Sequence, residues 1–393
     1  MTAPAAAFTV ALSVSLLATL AACLYRRKLS LPAVERAAAV TLILPLTAIP
    51  GDQLRRLMQA LDRQSLKPRR LVLAVESEQD PVCGTARSLA LESWYYEVEV
   101  VVAGASAHCS QKCRNLIAGI TRLDSKDDAI VLLDADIEPM RWWLSALVSP
   151  LTDGRSDLVT GYRWPIIQRY SVGGAVIAAI DRTLALLPRP RSLALAWGGS
   201  LAISRHACQR LSLPRILERT LSDDLAIAAA ASALGLRVLN RRALLVPTPV
   251  HHSLRSAWAF GRRQYSIVRL YRPQLWYLAL CISSTLVVAW AIVLSSLPDS
   301  GLAVAGLSVL LGVVFVKTWM FDRIGRCLGL FDTRTARLSQ YALILIKPLL
   351  DLFHLGMILS AAHPRTLTWA HVTYRIWEPE RITVSERRPW SDS

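Results

Sequence analysis

The chain has 393 residues, of which 53% are apolar and 19% charged, with a positive mean hydropathy of +0.35. Such a chain is too apolar for an ordinary soluble protein and too charged for one wholly embedded in lipid, which leaves a water-soluble domain joined to several membrane spans. With 45 basic against 29 acidic residues the net charge is +16; no nucleic-acid-binding module is recognisable, so anionic lipid or an anionic substrate is the expected partner.

Residues 6–25 carry no charge and are long enough to cross a bilayer as a helix. "LAAC", ending at Cys23, resembles a lipoprotein cleavage box, but no Lys or Arg precedes the apolar run and "RRK" follows it at 26–28. A signal peptide has the opposite polarity. Residues 1–27 are therefore expected to be an uncleaved anchor, with the basic flank and the following chain in the cytoplasm. Seven scattered cysteines form no CxxC pair, and His108, Cys109 and Cys113 lack a second ligand pair, so a reduced interior is expected rather than a metal knot.

Residues 38–272 alternate short apolar runs with helical patterns, as an α/β sheet does. "AVTLILPL" (39–46) is a near-continuous apolar run, expected of a buried parallel strand. Leu54, Leu57, Met58 and Leu61 lie on one face of a helix. "RRLVLAVESE" and "YYEVEVVVAG" supply two further strands, "QKCRNLIAGITRL" a helix, and "DAIVLLDADI" a fourth strand. Carboxylates follow the strands: Glu76 and Glu78 after one, Asp134 and Asp136 after another. Open α/β sheets bind ligands outside the carboxyl ends of their strands.

No P-loop, Gly-rich dinucleotide turn or Gly-x-Ser-x-Gly elbow is present. Phosphates bound here would need another counter-charge, and Mg²⁺ or Mn²⁺ on an Asp-x-Asp turn supplies one. The competing reading of Asp134 and Asp136 is a surface turn, in which Asp is common. In "LSDDLAIAAAASALGL", Ser222 is placed as an N-cap, with Asp223 and Asp224 opening a helix. Those acids either stabilise the helix dipole or supply a base for an attacking hydroxyl. "AWGGSLAISR" (196–205) offers a Gly-Gly turn that serves as a plain turn or lets a ligand approach the backbone. "HHSLRSAWAFGRRQYSIVRLYRP" (251–273) is a basic belt, suited to anionic lipid or to a diphosphate leaving group.

Two spans follow, 275–297 and 301–320, separated by Pro298, Asp299 and Ser300 as a hairpin, with Arg323, Arg326, Arg334 and Arg337 marking the next loop as cytoplasmic. The C-terminal membrane region is thus set at 275–360. In its last apolar stretch, 341–360, Lys347, Asp351 and His354 share one helical face. Either that stretch packs in a bundle or it lies in the interface or re-enters; the interface is preferred because it leaves the tail, 361–393, in the cytoplasm.

Taken in order, these segments resemble the membrane-bound family 2-type glycosyltransferases, and most closely their ceramide glucosyltransferase-like, family 21-like branch. The resemblance implies a GT-A-type nucleotide-sugar-binding domain with a mostly parallel sheet, flanked by N- and C-terminal transmembrane helices in an inner or plasma membrane of bacterial type. "AVESEQDPV" resembles the first acidic motif, which implies that Glu76, Glu78 and Asp80 lie at the nucleotide. "SQKCRNLIAGI" is similar to a Lys-x-x-Asn helix and adds Lys112 and Asn115 to that site. "LLDADI" matches the second motif and implies metal ligation by Asp134 and Asp136. "WGGSLAISR" resembles the acceptor-pocket turn, giving Trp197, Gly198 and Gly199 with Asp223 nearby. "LSDDLAIA" matches the third motif and implies Asp224 as general base.

The family's fourth motif, Gln or Arg, two residues, then Arg-Trp, is absent. "GRRQYSIVR" stands in its place, with Arg262, Arg263, Gln264 and Tyr265 as the substitutes at the donor. "TLTWAHVTYRI" resembles a tail motif with Trp369, Tyr374 and Arg375. The implied activity is inverting, metal-dependent transfer from a nucleotide sugar, a UDP-sugar above all, to a membrane lipid such as a ceramide, diacylglycerol or polyprenoid. The alternatives are a processive polysaccharide synthase, for which three or four spans are few, and an inactive scaffold that binds nucleotide or lipid.

Overall fold

A computed structural model describes residues 3–30, 37–47, 49–193, 195–298 and 301–390. In chain order its elements are α1 (Ala3–Arg27), β1 (Val40–Pro45), α2 (Gly51–Asp62), β2 (Arg70–Val75), α3 (Pro81–Ala90), β3 (Glu97–Val102), α4 (Gln111–Ile120), β4 (Ala129–Leu133), α5 (Trp143–Thr152), β5 (Leu158–Ile166), α6 (Val172–Leu186), β6 (Ser200–Ser204), α7 (Arg205–Leu211), α8 (Leu213–Leu217), α9 (Asp223–Ala233), β7 (Val238–Pro249), α10 (Leu254–Tyr271), α11 (Pro273–Ser295), α12 (Gly301–Cys327), α13 (Arg334–Leu345), α14 (Lys347–Ser360), β8 (Thr366–Trp369), β9 (Val372–Glu378) and β10 (Arg381–Arg387). They divide into a sheet unit (Ser30–Arg163, Arg189–Thr248, Arg365–Ser393) and a helical unit (Met1–Leu29, Trp164–Pro188, Pro249–Pro364).

The runs singled out in the sequence become the interior strands β1, β2 and β4 and the edge strand β3 of a seven-stranded sheet, ordered β3-β2-β1-β4-β6-β5-β7. The pairs β3/β2, β2/β1 and β1/β4 are parallel, whereas β6 runs antiparallel to both β4 and β5. Every residue of β2 and β4 is buried, as is β1 up to Pro45, which is why these strands lack polar alternation. Leu54, Leu57, Met58 and Leu61 of α2 are at most 2% exposed, and burying four such side chains is worth roughly 6–12 kcal/mol in gross transfer terms. That holds an otherwise polar helix on the sheet. The helix α4 lies close on β1 because Gly119 has no side chain: a Cβ there would stand 2.4 Å from Cγ2 of Ile43. The side-chain amide of Asn115 then donates to the carbonyls of Leu46 (2.9 Å) and Ala74 (3.1 Å), fastening α4 to the ends of β1 and β2. A second, antiparallel sheet, β10-β9-β8, closes the chain.

In the helical unit, α1, α11 and α12 meet through Ala7, Ala11, Ala289, Trp290, Val293 and Leu310. Small residues on α1 let the helix backbones approach closely. Three helices, Ala3–Arg27, Pro273–Ser295 and Ala303–Cys327, are long and apolar enough to cross a membrane. A 25-residue helix spans about 37 Å, more than the ~30 Å hydrocarbon core. Asp299 and Ser300 of the expected hairpin linker lie outside the described residues.

The last apolar stretch is not one continuous helix. It breaks at Ile346, where α13 and α14 meet at 91°; Pro348 sits in the first turn of α14 and has no N–H to donate into the turn before it. The polar face of α14 is used within the unit. Lys347 pairs with Asp351, Asp351 accepts from Trp290 Nε1 at 2.8 Å, and His354 Nε2 meets the Tyr265 hydroxyl.

Candidate active site

Because β1, β2 and β4 are parallel, their carboxyl ends share one edge of the sheet, and the loops leaving it carry the acidic residues. Asp134 and Asp136 follow β4. The antiparallel strand β6 begins beside them, with Ser200 in register with Leu133, so the preceding Gly198-Gly199 turn lies against Asp134. Gly198 is required by this crowding: a Cβ would stand 2.2 Å from Asp223 Oδ2 and 2.9 Å from Lys112 Nζ. Trp197 is fixed next to the turn by its N–H, which donates to Thr160 Oγ1 at 3.0 Å.

The cation at the centre comes from α4. Ser110 caps that helix, accepting from the Cys113 N–H at 3.2 Å, and Lys112 stands in its first turn, where the helix dipole opposes a positive charge. Its ammonium bridges Asp134 Oδ1 at 2.7 Å and Asp223 Oδ1 at 3.1 Å. Burial alone would lower the Lys112 pKa, but Asp134, Asp223 and Asp224 outweigh it and hold the value well above the ordinary one. The surrounding carboxylates thus favour the charged form of the lysine.

Asp223 and Asp224 open α9, and the expected cap takes a different form. Ser222 occupies the N-cap position, yet its hydroxyl donates to Asp224 Oδ1 instead of accepting from a helix amide. The same oxygen accepts from the Leu225 N–H at 2.7 Å, while Oδ2 accepts from the Gly198 N–H at 3.1 Å. Three donors thus fix the orientation of a half-buried carboxylate. Asp223 is 2% exposed, and its Oδ2 is a buried oxygen with no hydrogen-bond partner. Burial, with the charges of Asp224 and Asp134, pushes its pKa up against the opposing effect of Lys112.

Asp136 keeps open surface but is surrounded by protein mass, and this partial desolvation, together with the charge of Asp134, raises its pKa; Arg163 of β5 and Lys112 oppose the rise. Four carboxylates therefore face two cations. The formal excess of two negative charges is what a divalent cation would balance, and carboxylate oxygens are the donors that Mg²⁺ and Mn²⁺ prefer. The donor set fits such an ion. Among the described residues no group of three or more His, Cys, Asp or Glu could hold a metal, so Asp134 and Asp136 could supply only part of the coordination shell.

The other sequence candidates have varied positions. Glu78 is exposed and pairs with Arg87, and Asp80 caps α3 by accepting from the Val82 N–H at 3.0 Å. Asn115 is fully buried, with its amide engaged by the chain itself, as is Glu76, which pairs with Arg387. In the tail, the Tyr374 hydroxyl accepts from the Gln111 N–H at 2.8 Å, and the Trp369 ring lies 5.9 Å from Lys112 Nζ. Arg375 is exposed and stacks on Trp377. Arg262, Arg263, Gln264 and Tyr265 all belong to α10 of the helical unit; Arg262 is exposed, Arg263 lies against Phe260, and Tyr265 is buried with His354. Sequence reasoning passed over Arg163, His371 and Arg387. Only their positive or titratable chemistry marks them, and nothing local to them signals a partner.

Comparison with known proteins narrows the reading. The mannosyltransferase PcManGT from Pyrobaculum calidifontis, solved in complex with GDP-Man and Mn²⁺, shares the fold with a TM-score of 0.51 at 16% identity, over 91% of this chain and 97% of that one. Glucosyl-3-phosphoglycerate synthase from Mycobacterium tuberculosis is a weaker match, with a TM-score of 0.38 at 17% identity over 59% and 79% of the two chains. No curated protein sequence matches. The model of glycosyl transferase family 21 matches residues 6–382, nearly the whole length, and with it the GT-A-like, mostly parallel sheet; the chain belongs to glycosyl transferase family 21.

Proposed function

We propose that this glycosyltransferase moves a hexose from a nucleotide sugar, a UDP-sugar in the first instance, to the hydroxyl of a membrane lipid, with inversion at the anomeric carbon. The observation that carries this reading is the Lys112 bridge between Asp134 and Asp223, with Asp224 oriented beside it by the Gly198 N–H. The arrangement supplies both halves of a displacement: positive charge for a diphosphate and an aligned carboxylate for a proton. The family match and the fold relative bound to GDP-Man and Mn²⁺ support it.

A divalent metal, Mn²⁺ or Mg²⁺, would be held by Asp134 and Asp136 and, when bound, would neutralise charge developing on the departing diphosphate. Lys112 holds its charge close to the same carboxylates and orients Asp134. Asp224 takes the proton from the acceptor hydroxyl as that oxygen bonds to the anomeric carbon. The bond from carbon to the diphosphate oxygen breaks, and the nucleoside diphosphate leaves with the electron pair. Attack opposite the leaving group turns an α-linked donor into a β-glycoside. Trp197 and the Gly198-Gly199 turn would form the acceptor side of the pocket.

A lipid acceptor is favoured by the three apolar helices on the same chain, which would make it an integral membrane protein with its sheet unit in the cytoplasm. The test is a transfer assay. Membranes containing the protein are given Mn²⁺ or Mg²⁺, a panel of radiolabelled UDP-sugars and a total lipid extract. Label entering the organic phase is the expected result. Label collecting in insoluble polymer would instead establish a polysaccharide synthase.

A further inference from the structure

We propose that the C-terminal sheet β8–β10 is a fixed wall of the donor site, and that Arg387 and His371 are positioning residues acting through Glu76 and the first turn of α4. This rests on reading the strand ends as the donor site. Glu76 leaves the carboxyl end of β2, where a free carboxylate would be available to a ligand, but it is 3% exposed and its Oε1 is already engaged, while its buried Oε2 makes no hydrogen bond. Its Oε1 accepts from Arg387 Nη1, and His371 Nε2 lies 3.1 Å from its Oε2. Burial and the adjacent Arg387 keep the His371 pKa below the ordinary value, which favours the neutral ring and makes Arg387 the cation facing Glu76.

Arg387 does not stop at Glu76. It also donates to the Ser106 carbonyl at 3.2 Å and to Gln111 Oε1 at 3.3 Å. Gln111 in turn accepts from the Ser106 N–H at 2.9 Å, and its backbone N–H donates to the Tyr374 hydroxyl of β9 at 2.8 Å. The next residue is Lys112. Two strands of the tail therefore grip the residue from which the bridging lysine departs, and Trp369 of β8 stands beside its ammonium.

A pair with one buried and one partly exposed member is weak evidence for stability, because desolvation of Glu76 offsets much of the Coulomb attraction; the best-attested use of such pairs is to fix register. The three-stranded sheet buries apolar side chains of its own at Leu367, Val372, Tyr374, Ile376 and Ile382. The contacts of Arg387 with Glu76 and Gln111, and of Tyr374 with Gln111, add directional bonds that fix its register against β2 and α4. Glu76 on this account anchors the tail rather than reading the nucleoside.

The test uses the full chain in membranes and compares wild type with Arg387→Ala, Arg387→Lys and Tyr374→Phe. Donor KM and kcat are measured together with hydrogen exchange of the Gln111 amide. The expected result for Arg387→Ala is a donor KM raised about tenfold with kcat little changed, faster exchange at Gln111, and partial restoration by Arg387→Lys. Tyr374→Phe should speed the exchange and raise KM less. An unchanged KM, with or without a lower melting temperature, would overturn the proposal and leave the tail purely structural. Wild-type membranes with no donor-dependent transfer, in which Arg387→Ala still loosens Gln111, would overturn the donor-site reading and with it the wall, while the grip on α4 would stand.

Discussion

The two ends of the parallel strands carry similar residues to opposite effect. At the amino ends, Asp127 accepts from Arg69 at 2.6 Å and from the Thr41 hydroxyl at 2.6 Å, Arg69 also pairs with Asp124, and Glu99 pairs with Arg70 and Arg122. Three arginines meet three carboxylates, and the charges cancel. At the carboxyl ends, among the described residues, Asp134, Asp136, Asp223 and Asp224 face Lys112 and Arg163, one oxygen of Asp223 makes no hydrogen bond, and two carboxyls are pushed above their usual pKa. A chain selected for stability alone would have closed the second cluster as it closed the first. On the proposed reading, the imbalance at the carboxyl ends serves the binding of a charged ligand.

The sharpest way to break this contrast is at Asp134. Asp134→Asn removes a carboxylate shared by Lys112 and the expected metal, and should cut turnover about a thousandfold while the protein stays folded. Chelation of divalent cations from wild-type membranes should have the same effect, reversed by Mn²⁺. Gly198→Ala comes next. Its methyl group would displace Asp223 and Lys112, and turnover should fall on the order of a hundredfold, in a protein whose melting temperature moves little because the turn has no other new contact to lose. At the other end the signature inverts. Asp127→Ala removes a buried carboxylate that accepts from Arg69 and from the buried Thr41 hydroxyl, and should destabilise by about 3 kcal/mol in denaturant titration, with donor KM unchanged in the folded fraction. The smallest effect belongs to the exposed pair Arg55 and Glu92. Arg55→Ala should leave both melting temperature and transfer rate where they are, since such pairs contribute little.

How much of this was legible in sequence follows from the range of each interaction. β1, β2 and β4 could be placed because a strand buried on both faces must be a short apolar run, and Asp134 and Asp136 could be placed because they follow one directly. The antiparallel course of β6 was not legible, since "SLAIS" alone fits either direction and only its register beside Leu133 decides. Lys112 and Asp224 were reached through a motif resemblance rather than by spacing, and the structure places the Lys112 ammonium between Asp134 and Asp223. The break at Ile346 was marked by Pro348 but masked by uniform hydropathy. Glu76 and Arg387 are 311 positions apart, and no local pattern announces a contact of that range. Ser222 shows the converse failure, where a residue of the right type at an N-cap makes a different bond because a carboxylate stands closer than the helix amide.

The claim that the carboxyl-end cluster performs the transfer is tested most directly by Asp224→Asn. This change keeps the shape of the side chain and the position of α9 while removing the base. Donor binding and single-turnover transfer would be measured side by side for this variant and wild type. The account predicts donor affinity within about twofold of wild type and a transfer rate lower by roughly a hundred- to ten-thousandfold. Transfer at an undiminished rate with unchanged donor binding would contradict it and remove Asp224 from the chemistry.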